Sequence, residues 1–215
     1  MKLYSAQLSP FAARVRLAIY AKSLPVEIMA PPGGGLKSPE YLAINPMGKV
    51  PTLVLDDGTV IPESDTIVEF LADAFPDAGL RPTRPSDIAR GRLLARMAEL
   101  YVMAPSAALF GQMNPAARDP AVVEAALAKM DDGMGHLNLF MTEEAYAVGG
   151  HLTTADCALA PLLFFQDLFG QTFGKDDLVA RHAKVSAYWG RLQRNPVVQK
   201  VLAEMQEGLA NFMKR

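Results

Sequence analysis

Chemistry in this sequence has to come from hydroxyls, acids and lysines near its amino-terminal end. Ser9, within "QLSPFAARVR" (residues 7–16), is the last residue before a helix that opens with Pro10. A serine in that place is an N-cap, its oxygen accepting a bond from a free N–H of the first turn. As a site, its hydroxyl must act on something brought from outside, because the chain's one cysteine, Cys157, is far away. Turned outward, the hydroxyl stays protonated at neutral pH and acts as a donor; cap and donor call on one side chain. Tyr4 and Ser5, on the strand before it, are rivals for the donor role.

Three further groups could hold a ligand. Glu63-Ser64 precedes a helix, whose first-turn N–H groups form an anion site. A carboxylate would sit there with the Ser64 hydroxyl while Glu63 pairs with a neighbouring ammonium. The plain alternative is ordinary acidic bias at a helix start. Val50-Pro51 stands at the head of a strand, where proline has no N–H to pair. A trans bond there is a simple strand start, whereas a cis bond turns the chain and frees the Val50 N–H and C=O. Lys37 and Lys49 flank these groups and either meet a carboxylate or are solvated. The glycines at 33–35 suggest a mobile loop, and no GK[ST] follows to make a phosphate loop.

Composition narrows the classes. A net charge of −2 with no dense basic stretch argues against nucleic acid or an anionic membrane as partner. One cysteine excludes an internal disulfide, a CxxC pair and a thiolate zinc site. His136, His151 and His182 lack metal-ligand spacing, so no metal is expected. "LARMAELYVMAPSAALF" is apolar, but Arg96 and Glu99 leave no uninterrupted span for a bilayer. The start lacks a signal peptide's long apolar run, and a reducing, cytoplasmic compartment is expected.

These residues need elements to position them. "KLYS" and "VEIMA" read as strands around the helix "PFAARVRLAIYAKSL", which is apolar on most sides and suits packing on a sheet. "SPEYLA" reads as a short helix, "KVPTLVLDDGTVIP" as a hairpin about Asp57-Gly58, and "SDTIVEFLADAF" as a helix. The order is β-α-β-α-β-β-α. A proline-rich linker, 77–86, follows, and after it everything reads as helix. Ser86-Asp87 is expected to cap a long helix kinked by Pro105, and Asp119-Pro120 to open the next. Thr153 and Asp156 form an S/T-x-x-D box, with Leu152 and Cys157 placed for its staple, assigned to folding. Cys157 is expected to be a buried, inert thiol.

This order, with "SPFAARVR", "NPMGKVPTL" (45–53), "PESDTIVEFL" (62–71) and "LTTADCALAP" (152–161) in sequence, resembles the cytosolic glutathione transferases, serine-type and tau- or zeta-like. The resemblance covers essentially the whole chain. It implies a thioredoxin-like α/β domain over 1–76 that binds glutathione and an all-α domain over 87–215 that contributes a hydrophobic substrate site. It implies that Ser9 stabilises the thiolate of glutathione, that Val50 holds its cysteinyl part, and that Glu63 and Ser64 hold its γ-glutamyl end. Lys37 and Lys49 would meet the glycyl carboxylate. Phe11, Met103, Ser106, Phe110 and Phe165 are candidates to line the second site, with core packing the simpler role for each.

The energetics are feasible. A thiol of pKa about 8.5 needs a shift of roughly 2 units, or roughly 2.7 kcal/mol, to ionise at neutrality. A hydrogen bond to a charged group supplies about 1.5–3 kcal/mol, and a helix N-terminus roughly 0.3–1. The resemblance further implies a homodimer. A serine at position 9 disfavours the thiol-transferase and dehydroascorbate-reductase branches, which use cysteine there. A glutathione-dependent isomerase of the maleylacetoacetate or maleylpyruvate type, or a lyase, is the alternative enzyme. A non-catalytic binding module of the same fold, like the starvation proteins, is the alternative of another class.

Overall fold

A computed structural model describes residues 1–214. The chain divides into two compact units, one of Met1–Arg81 with the chain from Asn195 onward, the other of Pro82–Arg194.

The first unit is built on four short strands: β1 (Lys2–Tyr4), β2 (Glu27–Met29), β3 (Thr52–Val54) and β4 (Val60–Pro62). Their order across the sheet is β2-β1-β3-β4, with β1 parallel to β2 and antiparallel to β3, and β3 antiparallel to β4. Leu3 and Leu53, opposite each other, are fully buried. Helices α1 (Pro10–Lys22), α2 (Pro39–Leu42) and α3 (Ser64–Ala74) complete the expected order. α1 begins as its sequence dictates, with Ser9 as N-cap and Pro10 in the first turn, and ends on Ser23 in the left-handed conformation. Its apolar residues are buried nearly all round, and so are Arg14 and Arg16.

The last helix, α9 (Pro196–Met213), belongs to this first unit, whereas the sequence reading groups it with the helical residues before it. Its period of 3.6 shows an amphipathic helix but not the surface that covers it; that surface is α1. Part of the proline-rich stretch is also built into this unit. Leu80 is buried, and Arg81 pairs with Glu69 at 2.6 Å and Asp73 at 2.5 Å on α3.

The second unit is helical: α4 (Pro85–Met97), α5 (Ala104–Phe110), α6 (Pro120–Phe140), α7 (Thr154–Phe173) and α8 (Ala183–Leu192). α4 starts two residues earlier than a cap at Ser86 suggests. Pro85 takes the first helical position, and Asp87 instead pairs with Arg84 at 2.8 Å. Between α4 and α5 the chain makes a π-helical turn, Ala98–Met103, where the sequence predicts only a kink at Pro105. Pro105 cannot donate to the carbonyl of Tyr101, and the turn before it widens. That carbonyl faces Gly133 of α6, where any side chain would collide with it. By length and composition alone the run Pro85–Phe110 could cross a membrane. Here it packs against α6 and α7.

Candidate active site at one end of the sheet

The register of the strands brings the predicted glutathione-binding segments to one place. Tyr4 pairs with both Met29 and Thr52, and Thr52 pairs with Pro62. The chain leaves the sheet after Tyr4 toward Ser9, after Met29 toward Lys37, and after Pro62 toward Glu63 and Ser64. It enters β3 from Val50-Pro51. All four segments therefore emerge at the same end of the sheet.

Ser9 is half-buried, and its hydroxyl oxygen accepts from the Ala12 N–H at 3.2 Å. Capping occupies a lone pair and leaves the hydroxyl proton free, so the two roles that the sequence sets against each other are compatible. Of the rivals, Ser5 is buried and its oxygen accepts from Arg16 Nη1 at 2.8 Å. The Tyr4 ring stands edge-on to Tyr41, 5.7 Å between centroids. Phe11, in the first turn of α1, is half-buried.

The Val50-Pro51 bond is cis. The loop before it is anchored by a cluster that sequence reasoning missed. The Lys49 carbonyl accepts from Tyr41 Oη at 2.6 Å, Asn45 Nδ2 at 3.0 Å and Thr52 Oγ1 at 3.3 Å. Tyr41, Asn45 and Thr52 are buried, and burial raises the Tyr41 phenol above its usual range. The signal was the polar Asn45 and Thr52 flanking "PMGKVP", each placed where a loop must be held. The Lys49 side chain is exposed, as is Lys37, whose Nζ donates to the Met47 carbonyl at 3.4 Å.

Glu63 adopts φ 69° and ψ 117°, a left-handed conformation rare outside glycine. Ser64 is buried as the first residue of α3, and among the described residues no side chain caps that helix. Its first-turn N–H groups point to the sheet end with Ser64 beside them.

A second missed feature is Arg16, 3% exposed inside unit one. Its Nη1 donates to Ser5 Oγ and the Ala6 carbonyl, its Nη2 to the Gln7 carbonyl, and its Nε to Glu204 at 2.8 Å. Burial lowers its pKa from the usual arginine value and Glu204 opposes that. A charged residue on the inner side of an otherwise apolar helix was the available signal.

In the second unit, Met103, Ser106 and Phe165, offered as substrate-lining residues, are buried in its core. The Ser106 hydroxyl donates to the Met103 carbonyl at 2.7 Å. Phe110, 41% exposed, packs edge-on against Phe165 and Phe169 at 5.2 and 5.1 Å. Of these four, only Phe110 presents a substantial apolar surface. Cys157 is buried, as expected.

Comparison with known proteins fits this arrangement. Residues 3–79 match the family model of the glutathione S-transferase N-terminal domain. The chain is 28% identical over 195 residues to a maleylacetoacetate isomerase of Pseudomonas aeruginosa, covering 87% of this chain and 91% of that protein. It is 25% identical over its full length to a glutathione S-transferase of Pseudomonas putida, covering 96% of it. Among solved structures, a glutathione S-transferase of Methylobacillus flagellatus with bound glutathione superposes with a TM-score of 0.77 at 25% identity, over 93% of this chain and 98% of that one. Residues 3–79 thus belong to the glutathione S-transferase N-terminal domain family, and the chain as a whole is similar in sequence and fold to glutathione S-transferases.

Proposed function

We propose that this protein binds glutathione at the end of the sheet and conjugates its thiolate to hydrophobic electrophiles. The observation that carries the reading is the convergence of the Ser9 turn, Val50-Pro51 and the uncapped start of α3 at one end of a single sheet. The γ-glutamyl carboxylate takes the first-turn N–H groups of α3 with the Ser64 hydroxyl, and Glu63 takes the adjoining ammonium. Val50 receives the cysteinyl residue along its backbone, and Lys37 and Lys49 supply positive charge for the glycyl carboxylate.

Ser9, keeping its proton, then donates a hydrogen bond to the sulfur. The bond it accepts from the Ala12 N–H polarises the hydroxyl and favours that donation. No base is needed: the thiol proton leaves to solvent, and the stabilised thiolate attacks an electrophilic carbon held beside it. The Phe11 ring, in the first turn of α1, is the apolar surface that the first unit offers to that second substrate. Exposed Leu93, Leu100 and Leu139 of the helical unit support a homodimer, and a reducing cytoplasm would keep the thiol available.

Ser9→Ala is expected to lower turnover of a generic aryl halide by more than about tenfold with little loss of glutathione affinity. Unchanged turnover would transfer the role to a backbone donor or to Tyr4. The likeness to the isomerase favours one second reading, a glutathione-dependent isomerase using the same thiolate. Turnover of maleylacetoacetate at a rate well above that of the aryl halide would select it.

A further inference from the structure

We propose that α9 positions the Ser9 turn, with Arg16, Glu204 and Gly208 as positioning residues for the thiolate chemistry, an inference that rests on the reading of Ser9 above. Residues 5–9 form a turn with one internal backbone bond, Ser9 N–H to the Ala6 carbonyl at 3.2 Å. Three acceptors of the turn are gathered by one side chain. Arg16 stands two helical turns beyond Ser9 and fans across Ser5 Oγ, Ala6 O and Gln7 O at 2.8–2.9 Å. A buried guanidinium that spends three of its bonds on a turn fixes that turn only if its own plane is fixed.

Glu204 does this. One carboxylate oxygen accepts from Arg16 Nε at 2.8 Å and the other from Tyr20 Oη at 2.9 Å, so both ends of the carboxylate are tied to α1. Glu204, Glu207 and Gly208 share one face of α9. Glu207 accepts from Gln7 Nε2 at 3.0 Å. At Gly208 a Cβ would stand 2.7 Å from Leu8 N and 3.0 Å from Gln7 Cβ. The backbone of α9 therefore lies directly on the backbone of the residue before Ser9, and only glycine allows that approach. Electrostatic tie and steric stop act on the same few residues from the same helix.

A brace that merely stabilises the fold would not change the acidity of a bound thiol, and this separates the two roles. The test uses the full chain with Gly208→Ala, Arg16→Lys and Ser9→Ala. Alanine is the better helix former, so a loss in Gly208→Ala does not come from unwinding α9. The readouts are the titration midpoint of the bound glutathione thiolate by its absorbance, kcat and KM for the aryl halide, and thermal unfolding. Gly208→Ala and Arg16→Lys are expected to raise the midpoint by about one unit and lower kcat about tenfold. The KM for glutathione should move less than about twofold. A wild-type midpoint in both variants overturns the proposal, whatever happens to stability; should Arg16→Lys fail to fold, Gly208→Ala decides. If only Ser9→Ala moves the midpoint, the reading of Ser9 stands and the brace falls. If Ser9→Ala leaves it unmoved, the reading itself fails.

Discussion

At the start of α7 the Thr153 N–H and hydroxyl both donate to the Asp156 carboxylate, at 2.8 and 2.9 Å, closing a capping box. At the start of α3, Glu63 and Ser64 close nothing: Glu63 holds a left-handed backbone, and no side chain among the described residues caps the helix. Both starts pair an acid with a hydroxyl. In the first, the donors are consumed inside the protein. The Ala147 N–H and Tyr188 Oη complete the shell of Asp156 at 2.8 and 2.9 Å, and the carboxylate is wholly buried. In the second, the orphan N–H groups that every helix start carries are left for a partner. The same two residue types therefore serve folding where they satisfy each other; where they do not, the proposed function gives them to a ligand.

That contrast can be broken at either helix. The largest effect is expected from Asp156→Ala, which strands four buried donors and should cost about 3 kcal/mol or more in urea unfolding. A cost under about 1 kcal/mol would show that the box is not a folding element. Next comes Ser64→Ala, expected to weaken glutathione binding about tenfold by calorimetry while changing unfolding stability by less than about 1 kcal/mol. A stability loss comparable to that of Asp156→Ala would make Ser64 structural after all.

The smallest effect is a pH term. Burial raises the Asp156 carboxyl above its ordinary value of 3.8, against the pull of the Ala147 and Thr153 N–H groups and the Tyr188 and Thr153 hydroxyls. A carboxyl raised on folding contributes stability that is fully present below 3.8 and is lost as pH rises through its folded value. The stability of the wild type relative to Asp156→Asn should therefore decline over that rise. A difference independent of pH would mean that burial does not govern this carboxyl.

Local chemistry was legible in the chain. Ser9 as a cap, Pro10 inside the first turn, the hairpin about Asp57-Gly58 and the Thr153–Asp156 box each depend on residues within four positions of one another. The resemblance of "NPMGKVPTL" reached further, to Val50-Pro51, but not to the Tyr41, Asn45 and Thr52 grip on the Lys49 carbonyl. The start of α4 was misplaced because a proline and an acid both signal helix entry, and only the Arg84–Asp87 pair shows which position each takes. The candidates for the second substrate failed differently. Met103, Ser106 and Phe165 have the side chains of a pocket lining and the burial of a core, and composition does not separate the two.

The sequence by itself determined the order of elements, most of their caps and the residue types available for chemistry, because hydrogen bonds within one turn and hydrophobic period act along the chain. Tertiary structure decided what those residues meet. Strand register set Ser9, Val50 and Ser64 at one end of the sheet, and packing of α9 on α1 gave Arg16 its partner in Glu204. Such contacts join residues far apart in the chain, and each exists only once the surfaces between them have been excluded from water.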